Sequence, residues 1–173
     1  MRRVPGEPIV PAGMRNHLAG KPDFALRRGQ GRDLQALLEL ESRVFTTDWL
    51  SRRSFRNFLA SPAAELIVGE RAGVLAGYAL VLFRPRSRVA NLYSIAVMPE
   101  LAGQGLGRAL LAAAEAAACA RDSLLLRLEV QVENAPAIAR YRKSGFRLLG
   151  RRAAYYDNGG DAFRFEKRLV PRG

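Results

Sequence analysis

The stretch from Val89 to Arg121 constrains the fold more than any other part of the chain. An apolar strand, Val89 to Val97, ends at Met98-Pro99. The loop Gly103-Gln104-Gly105-Leu106-Gly107 follows and opens an alanine-rich segment, Leu106 to Arg121. That segment is strongly helix-forming and apolar almost all round, so it is expected to be a buried helix. A strand feeding such a helix calls for a sheet that the helix can cover.

The flanking sequence supplies that sheet. Phe24–Arg28, Glu65–Glu70, Val74–Phe83, Leu124–Val132, Phe146–Tyr156 and Ala162–Leu169 read as strands. The turns Arg71-Ala72-Gly73 and Asp157-Asn158-Gly159-Gly160 separate neighbours. Asp33 to Phe45 carries apolar residues on one helical face, and Ser51 is a suitable N-cap for a short helix holding Phe55, Phe58 and Leu59. Pro136 begins a further helix running to Ser144. The order β-α-α-β-β-β-α-β-α-β-β predicts an α/β fold, a mixed central sheet flanked by helices, in one domain over 23–170. Residues 1–22 are rich in proline and glycine and read as a flexible leader; 171–173 read as a tail or a cleavage-site remnant.

Composition narrows the setting. No apolar run is long enough to span a bilayer, and the N-terminus lacks the apolar core of a secretion signal. A single cysteine, Cys119, forms no internal disulfide and points to a reducing, cytoplasmic setting; in its alanine-rich helix it reads as a small apolar residue. His17, the lone histidine, lies in the leader and receives no role. The net charge of +12 comes almost entirely from arginine, Lys21, Lys143 and Lys167 being the only lysines. Such a charge attracts anions, whether nucleic acid (a ribosome included), anionic lipid or a polyphosphate cofactor, although an arginine-rich but otherwise ordinary surface explains it equally. The densest run is Arg140, Arg142, Lys143, Arg147, Arg151 and Arg152, with no acid among them.

The glycine loop is an anion site on physical grounds. Glycines allow successive N–H groups to point into one concavity, and the helix start adds unpaired donors and a positive dipole end. Its G-x-G-x-G spacing fits neither G-x-G-x-x-G nor G-x-x-x-x-G-K-[ST]. Turn punctuation remains the bland reading of three glycines.

A second constellation follows: Leu128-Glu129-Val130, Asn134, Ala137, Tyr141 and Gly145-Phe146. Together with Ile95-Ala96-Val97, Pro99 and the loop, it resembles the GCN5-related N-acetyltransferase (GNAT) superfamily over about 24–169. With Tyr155-Tyr156 and Asp161-Ala162, it looks most like the RimI-like branch. The resemblance implies a single-domain GNAT fold, with splayed parallel strands around acetyl-coenzyme A. Ile95, Ala96, Val97, Gly103, Gln104, Gly105, Leu106, Gly107, Arg108, Asn134 and Tyr141 are then expected to bind that cofactor, with no metal. Two departures stand out. Ala102 occupies a position where the family usually has Arg or Gln, and Arg140 one that is usually apolar.

The chemistry needs a base for the amine, a donor for the thioester carbonyl and a proton for the leaving thiolate. The resemblance assigns the carbonyl to the backbone N–H near Val97. It assigns the base to Glu129, whose apolar flanks make a charge costly without a purpose or a partner; pairing with an arginine is the competing reading. Tyr141 is the expected acid, since a phenol is protonated at neutral pH. Asn134 either contacts the pantetheine arm or caps the Pro136 helix, and both can hold. Phe45, Tyr93, Glu129, Tyr155 and Tyr156 are expected to border the acceptor, with core packing as the alternative for the aromatics. Strand alternation puts Tyr93 on the side of Ile95 and Val97. Trp49 lies beside Phe45 in the same loop.

The function expected is acetyl transfer from acetyl-coenzyme A to a primary amine of a protein or peptide, N-terminal or lysine, by a monomer or homodimer. A small-molecule or antibiotic amine is the alternative. From another class, a non-catalytic acyl-coenzyme A or nucleic-acid binding module on the same fold would use the basic run 140–152.

Overall fold

The computed structural model describes residues 24–170, so the expectations for the leader and for 171–173 lie outside the described residues. One seven-stranded sheet runs in the order β1-β2-β3-β4-β5-β7-β6. Its strands are β1 (Phe24–Arg28), β2 (Ala64–Arg71), β3 (Val74–Leu82), β4 (Val89–Val97), β5 (Leu125–Gln131), β6 (Arg147–Arg152) and β7 (Ala162–Arg168). Every pairing is antiparallel except β4 with β5. The helices are α1 (Leu34–Val44), α2 (Arg52–Ala60), α3 (Leu106–Ala120) and α4 (Ala135–Lys143). No helix among the described residues is long and apolar enough to cross a membrane.

Two apolar clusters sandwich the sheet. On one face Leu106, Leu110 and Ala114 of α3 and Ala137 and Tyr141 of α4 pack with Leu92, Leu126, Leu128 and Phe165. On the other, Leu37 and Leu40 of α1 and Phe55 of α2 pack with Leu66, Tyr78 and Leu80. Ser51 caps α2 as expected, its Oγ accepting from the Ser54 N–H at 3.1 Å.

Three expectations are corrected. First, α3 is buried on one face only; Arg108, Ala112, Ala116 and Ala120 are exposed. Alanine's small side chain suits both a core and a shallow cleft wall, so composition could not separate the two faces. Cys119 is half-buried against the core.

Second, Tyr93 does not share a face with Ile95 and Val97. The β3–β4 register passes from Leu80↔Ser94 to Val81↔Leu92, so Tyr93 is an extra residue on β4, a bulge. The bulge breaks the alternation: Tyr93 packs with the α1/α2 side, against Phe58 at 5.5 Å, while Ile95 and Val97 pack towards α3.

Third, the strand expected to reach Tyr156 stops at Arg152. Asp161 ends it, its Oδ1 accepting from the Ala154 N–H at 2.9 Å and its Oδ2 from Arg151 at 2.8 Å, while Ala154 turns through a left-handed φ of 48°. Tyr155 and Tyr156 therefore lie in the β6–β7 loop. The basic run 140–152 also divides: Arg140, Arg142 and Lys143 end α4, where cations suit the helix dipole, and the rest belongs to the exposed edge strand β6.

Candidate active site

The sheet opens at its centre. Strands β4 and β5 pair only over Val89–Asn91 with Leu125–Arg127, although β5 stays paired with β7 along its whole length. The open edge has usable polarity. Met98 N–H donates to Ala76 O at 2.7 Å, so by antiparallel alternation the N–H of Val97 points away from β3, into the gap.

The glycine loop lies just beyond. Gly103 and Gly105 adopt left-handed φ of 77° and 97°, and Gly105 is the N-cap of α3. A Cβ added at either would meet no atom within 4 Å, so the approach to the first N–H groups of α3 is clear. Gln104 is held by Arg71 (2.8 Å to its Oε1), bracing the loop in spite of Ala102.

Between α3 and α4 lies a cleft of about 810 Å³ lined by Arg108, Leu111, Pro136, Arg140 and Lys143 among others. Arg140 thus stands on the cleft wall rather than on the outer face of α4. Lys167, also on the wall, is neutralised by Glu115 at 2.8 and 2.9 Å. Free helix N–H groups beside several cations match a polyphosphate, and these residues fit acetyl-coenzyme A.

Glu129 faces the other side. It is 4 % exposed, and its Oε1 accepts from Arg164 Nε at 3.0 Å and Nη2 at 2.8 Å. Arg164 is its direct cross-strand neighbour, and Arg127 pairs likewise with Glu166 at 2.6 Å. This polar stripe of β5 and β7 lies beyond the part of the face covered by α1 and α2. Glu129 still reaches open space, because with Phe58, Asn91 and Tyr93 it lines a cavity of about 290 Å³. The arginine pairing that competed with the base reading is thus present, and Glu129 nevertheless keeps access to the cavity.

Tyr141 is buried on α4 with its ring edge-on to Phe146 at 5.8 Å. The proposed acid and base thus flank the gap from opposite faces of the sheet. Asn134 caps α4, its Oδ1 accepting from the Ala137 N–H at 3.3 Å. Tyr155 and Tyr156 stack edge-on at 5.0 Å. Burial raises the Tyr156 phenol far above its ordinary range, with added effects from Tyr155, Glu129, Tyr141 and Asp48. It stays protonated. The Tyr156 hydroxyl and Asp48 Oδ1 are buried with no hydrogen-bond partner among the described residues.

In the α1–α2 loop, Phe45 belongs to the core, whereas Trp49 is 59 % exposed. Glu41, only 2 % exposed, anchors that loop: its Oε2 accepts from the Leu50 N–H at 2.8 Å and its Oε1 from the Tyr78 hydroxyl, which lies 2.7 Å from Ser94 Oγ. Sequence reading singled out neither this network nor Arg164 and Asp48. The alternation of Ala162, Arg164 and Glu166 with Phe163 and Phe165 was the available signal for Arg164. Nothing local marked Asp48, whose φ of 57° appears only in the fold.

Comparison with known proteins gives a consistent result. The profile of the acetyltransferase (GNAT) family matches residues 34–146. A Bacillus subtilis protein named, provisionally, as a [ribosomal protein bS18]-alanine N-acetyltransferase is 36 % identical over 143 residues, 82 % of this chain and 93 % of that one. The N-alpha-acetyltransferase RimI of Mycobacterium tuberculosis is 36 % identical over 136 residues, 76 % of this chain and 84 % of its own. The crystal structure of the ribosomal-protein-S18-alanine N-acetyltransferase from Escherichia coli superposes with a TM-score of 0.77 at 29 % identity, covering 87 % of this chain and 96 % of that one.

Proposed function

Because the chain belongs to the acetyltransferase (GNAT) family, and so is an N-acetyltransferase that draws on acetyl-coenzyme A, we propose that its acceptor is the α-amine of a protein N-terminus, with Glu129 as base and Tyr141 as acid. Acetyl-coenzyme A supplies an acetyl thioester, which the amine attacks and from which a thiolate departs. Glu129 collects the proton that the amine loses, directly or through water. Tyr141 gives its phenolic proton to the thiolate. The Val97 N–H offers a fixed donor to the thioester oxygen, and a fixed donor costs no reorganisation during reaction. The N–H groups from Gly103 to Arg108, with Gln104, hold the pyrophosphate; Ile95 and Ala96 line the pantetheine path, and Asn134 orients it.

The observation that carries this reading is Glu129. A buried carboxylate lines the cavity with Phe58 and Tyr93 at the level where β4 and β5 part. The α1–α2 loop, with Asp48 and Trp49, and the β6–β7 loop, with Tyr155 and Tyr156, border the acceptor from either side. Similarity over 82 % and 76 % of this chain to enzymes named for an N-terminal α-amine favours that acceptor over a lysine or a small amine. The single cysteine and the donor suit the cytoplasm.

Thiol release measured with alanine-first peptides tests the proposal, against the same peptides blocked at the N-terminus but carrying a lysine. Glu129→Gln and Tyr141→Phe are each expected to lower kcat at least about tenfold. If neither does, the acid–base assignment is wrong. Faster turnover of the blocked lysine peptides would move the acceptor to a side chain.

A further inference from the structure

We infer that the cavity lined by Arg84, Ser87, Asn91, Arg127, Arg152 and Arg164 is an anion-recognition site of the acceptor groove, so that the preferred acceptor carries a carboxylate side chain shortly beyond its reacting amine. The inference rests on the function proposed above and adds a substrate class to it.

The cavity measures about 380 Å³ and gathers its walls from the β3–β4 loop and from β4, β5, β7 and β6. Four arginines line it. Arg127 is balanced by Glu166 and Arg164 by Glu129, but neither Arg84 nor Arg152 has a carboxylate partner among the described residues. The site therefore keeps two uncompensated positive charges. Ser87 and Asn91 add polar groups between them. Neighbouring guanidiniums are suited to a carboxylate or a phosphate, which they can hold in bidentate fashion.

Its position ties the site to the acceptor. Arg84 and Asn91 also line the cavity that holds Glu129, Phe58 and Tyr93, so the two spaces adjoin. The Glu129–Arg164 pair stands at their boundary, the carboxylate lining one and the guanidinium the other. Arg152 lies 6.0 Å from the Tyr155 ring centre, which joins the cavity rim to the β6–β7 loop. An amine placed at Glu129 thus has a cationic hollow on one side. Arg127 and Glu129 are two residues apart on β5, about 7 Å along a strand, which puts the acidic side chain at the second or third residue of an extended peptide. A hollow of this limited size suits a side chain better than a nucleic-acid backbone, which needs a continuous track of cations. A protein of net charge +12 also attracts an acidic acceptor and repels a basic one.

Three alanine-first peptides test this, with Asp, Asn or Lys at positions two and three. Wild-type protein is expected to favour the Asp peptide over the Asn peptide by about tenfold in kcat/KM, mostly through KM. The double variant Arg84→Ala/Arg152→Ala is expected to bring that ratio near one, Arg84→Lys/Arg152→Lys to keep most of it, and Arg84→Glu/Arg152→Glu to turn the preference to the Lys peptide. Thermal melting of each variant checks its folding. Fluorescence anisotropy of a labelled Asp peptide, with coenzyme A saturating, gives a second readout that needs no turnover. Equal rates for the Asp and Asn peptides would overturn the anion site while leaving N-terminal acetylation standing. So would an Asp preference that survives charge reversal, or RNA displacing the Asp peptide at lower concentration than free Asp peptide does. Binding of the Asp peptide lost on charge reversal, with no amine acetylated, would support the anion site and sink the N-terminal acceptor.

Discussion

Tyr156 carries a phenol that is enclosed yet hydrogen-bonded to nothing among the described residues. A buried polar group without a partner contributes no stability, and its removal is close to neutral or favourable. Tyr156→Phe is therefore expected to leave the stability unchanged or to raise it by up to about 1 kcal/mol, as read from urea denaturation. The KM for an acceptor peptide should rise several-fold, because the hydroxyl faces the electrostatic surroundings of Glu129 and Asp48. A loss of more than about 2 kcal/mol would mean that the hydroxyl holds the fold together instead. Glu41 is the contrast, equally enclosed but bonded through both oxygens. At this scale the sequence named Glu129 and Tyr141 through a resemblance. It could not show that Glu129 is paired, because Arg164 lies 35 residues away and becomes a neighbour only through the β5–β7 ladder.

Elements in this protein are joined by charge as well as by apolar packing. Arg27 on β1 clamps Asp33, at the start of α1, through two hydrogen bonds of 2.7 and 2.8 Å, and reaches Glu70 on β2 at 2.6 Å. The guanidinium, with further help from the Gln30 N–H, holds the Asp33 carboxyl below its ordinary value of 3.8. The folded state then binds fewer protons than the unfolded chain just below that value. The stabilisation is complete above pH 3.8 and is lost as pH falls from there towards the folded-state value. Asp33→Asn is expected to lower stability at neutral pH and to flatten its acid dependence below about pH 4, by denaturation across a pH series. A slope identical to wild type would show that other carboxylates govern the acid limb. Element identities were largely legible because their signals are local: the Ser51 cap, the 3.6-residue period of α1 and the turn at Ala72-Gly73. The bulge at Tyr93 and the early end of β6 were not, since each is set by a partner strand or by the distant Asp161.

The chain is strongly basic, with the α3–α4 cleft on one face of the sheet and the Glu129 cavity on the other, and its charge should couple to its ligands. Coenzyme A at about a hundred times its Kd is expected to add about 2.7 kcal/mol of stability. That gain should shrink as salt rises at fixed ligand concentration, because Arg108, Arg140 and Lys143 line the α3–α4 cleft and salt screens them. Melting scans across a salt series measure it, and a salt-independent shift would remove the cations from cofactor binding. By itself the sequence determined the order of elements, the place of the glycine loop at the start of α3, the family and its donor, because each is written in local spacing. Only the tertiary structure decided which face each side chain serves, that Tyr141 and Glu129 lie on opposite faces of the sheet, and that four scattered arginines share one hollow. Those facts depend on strand order, register and a single inserted residue, and a linear pattern carries none of them.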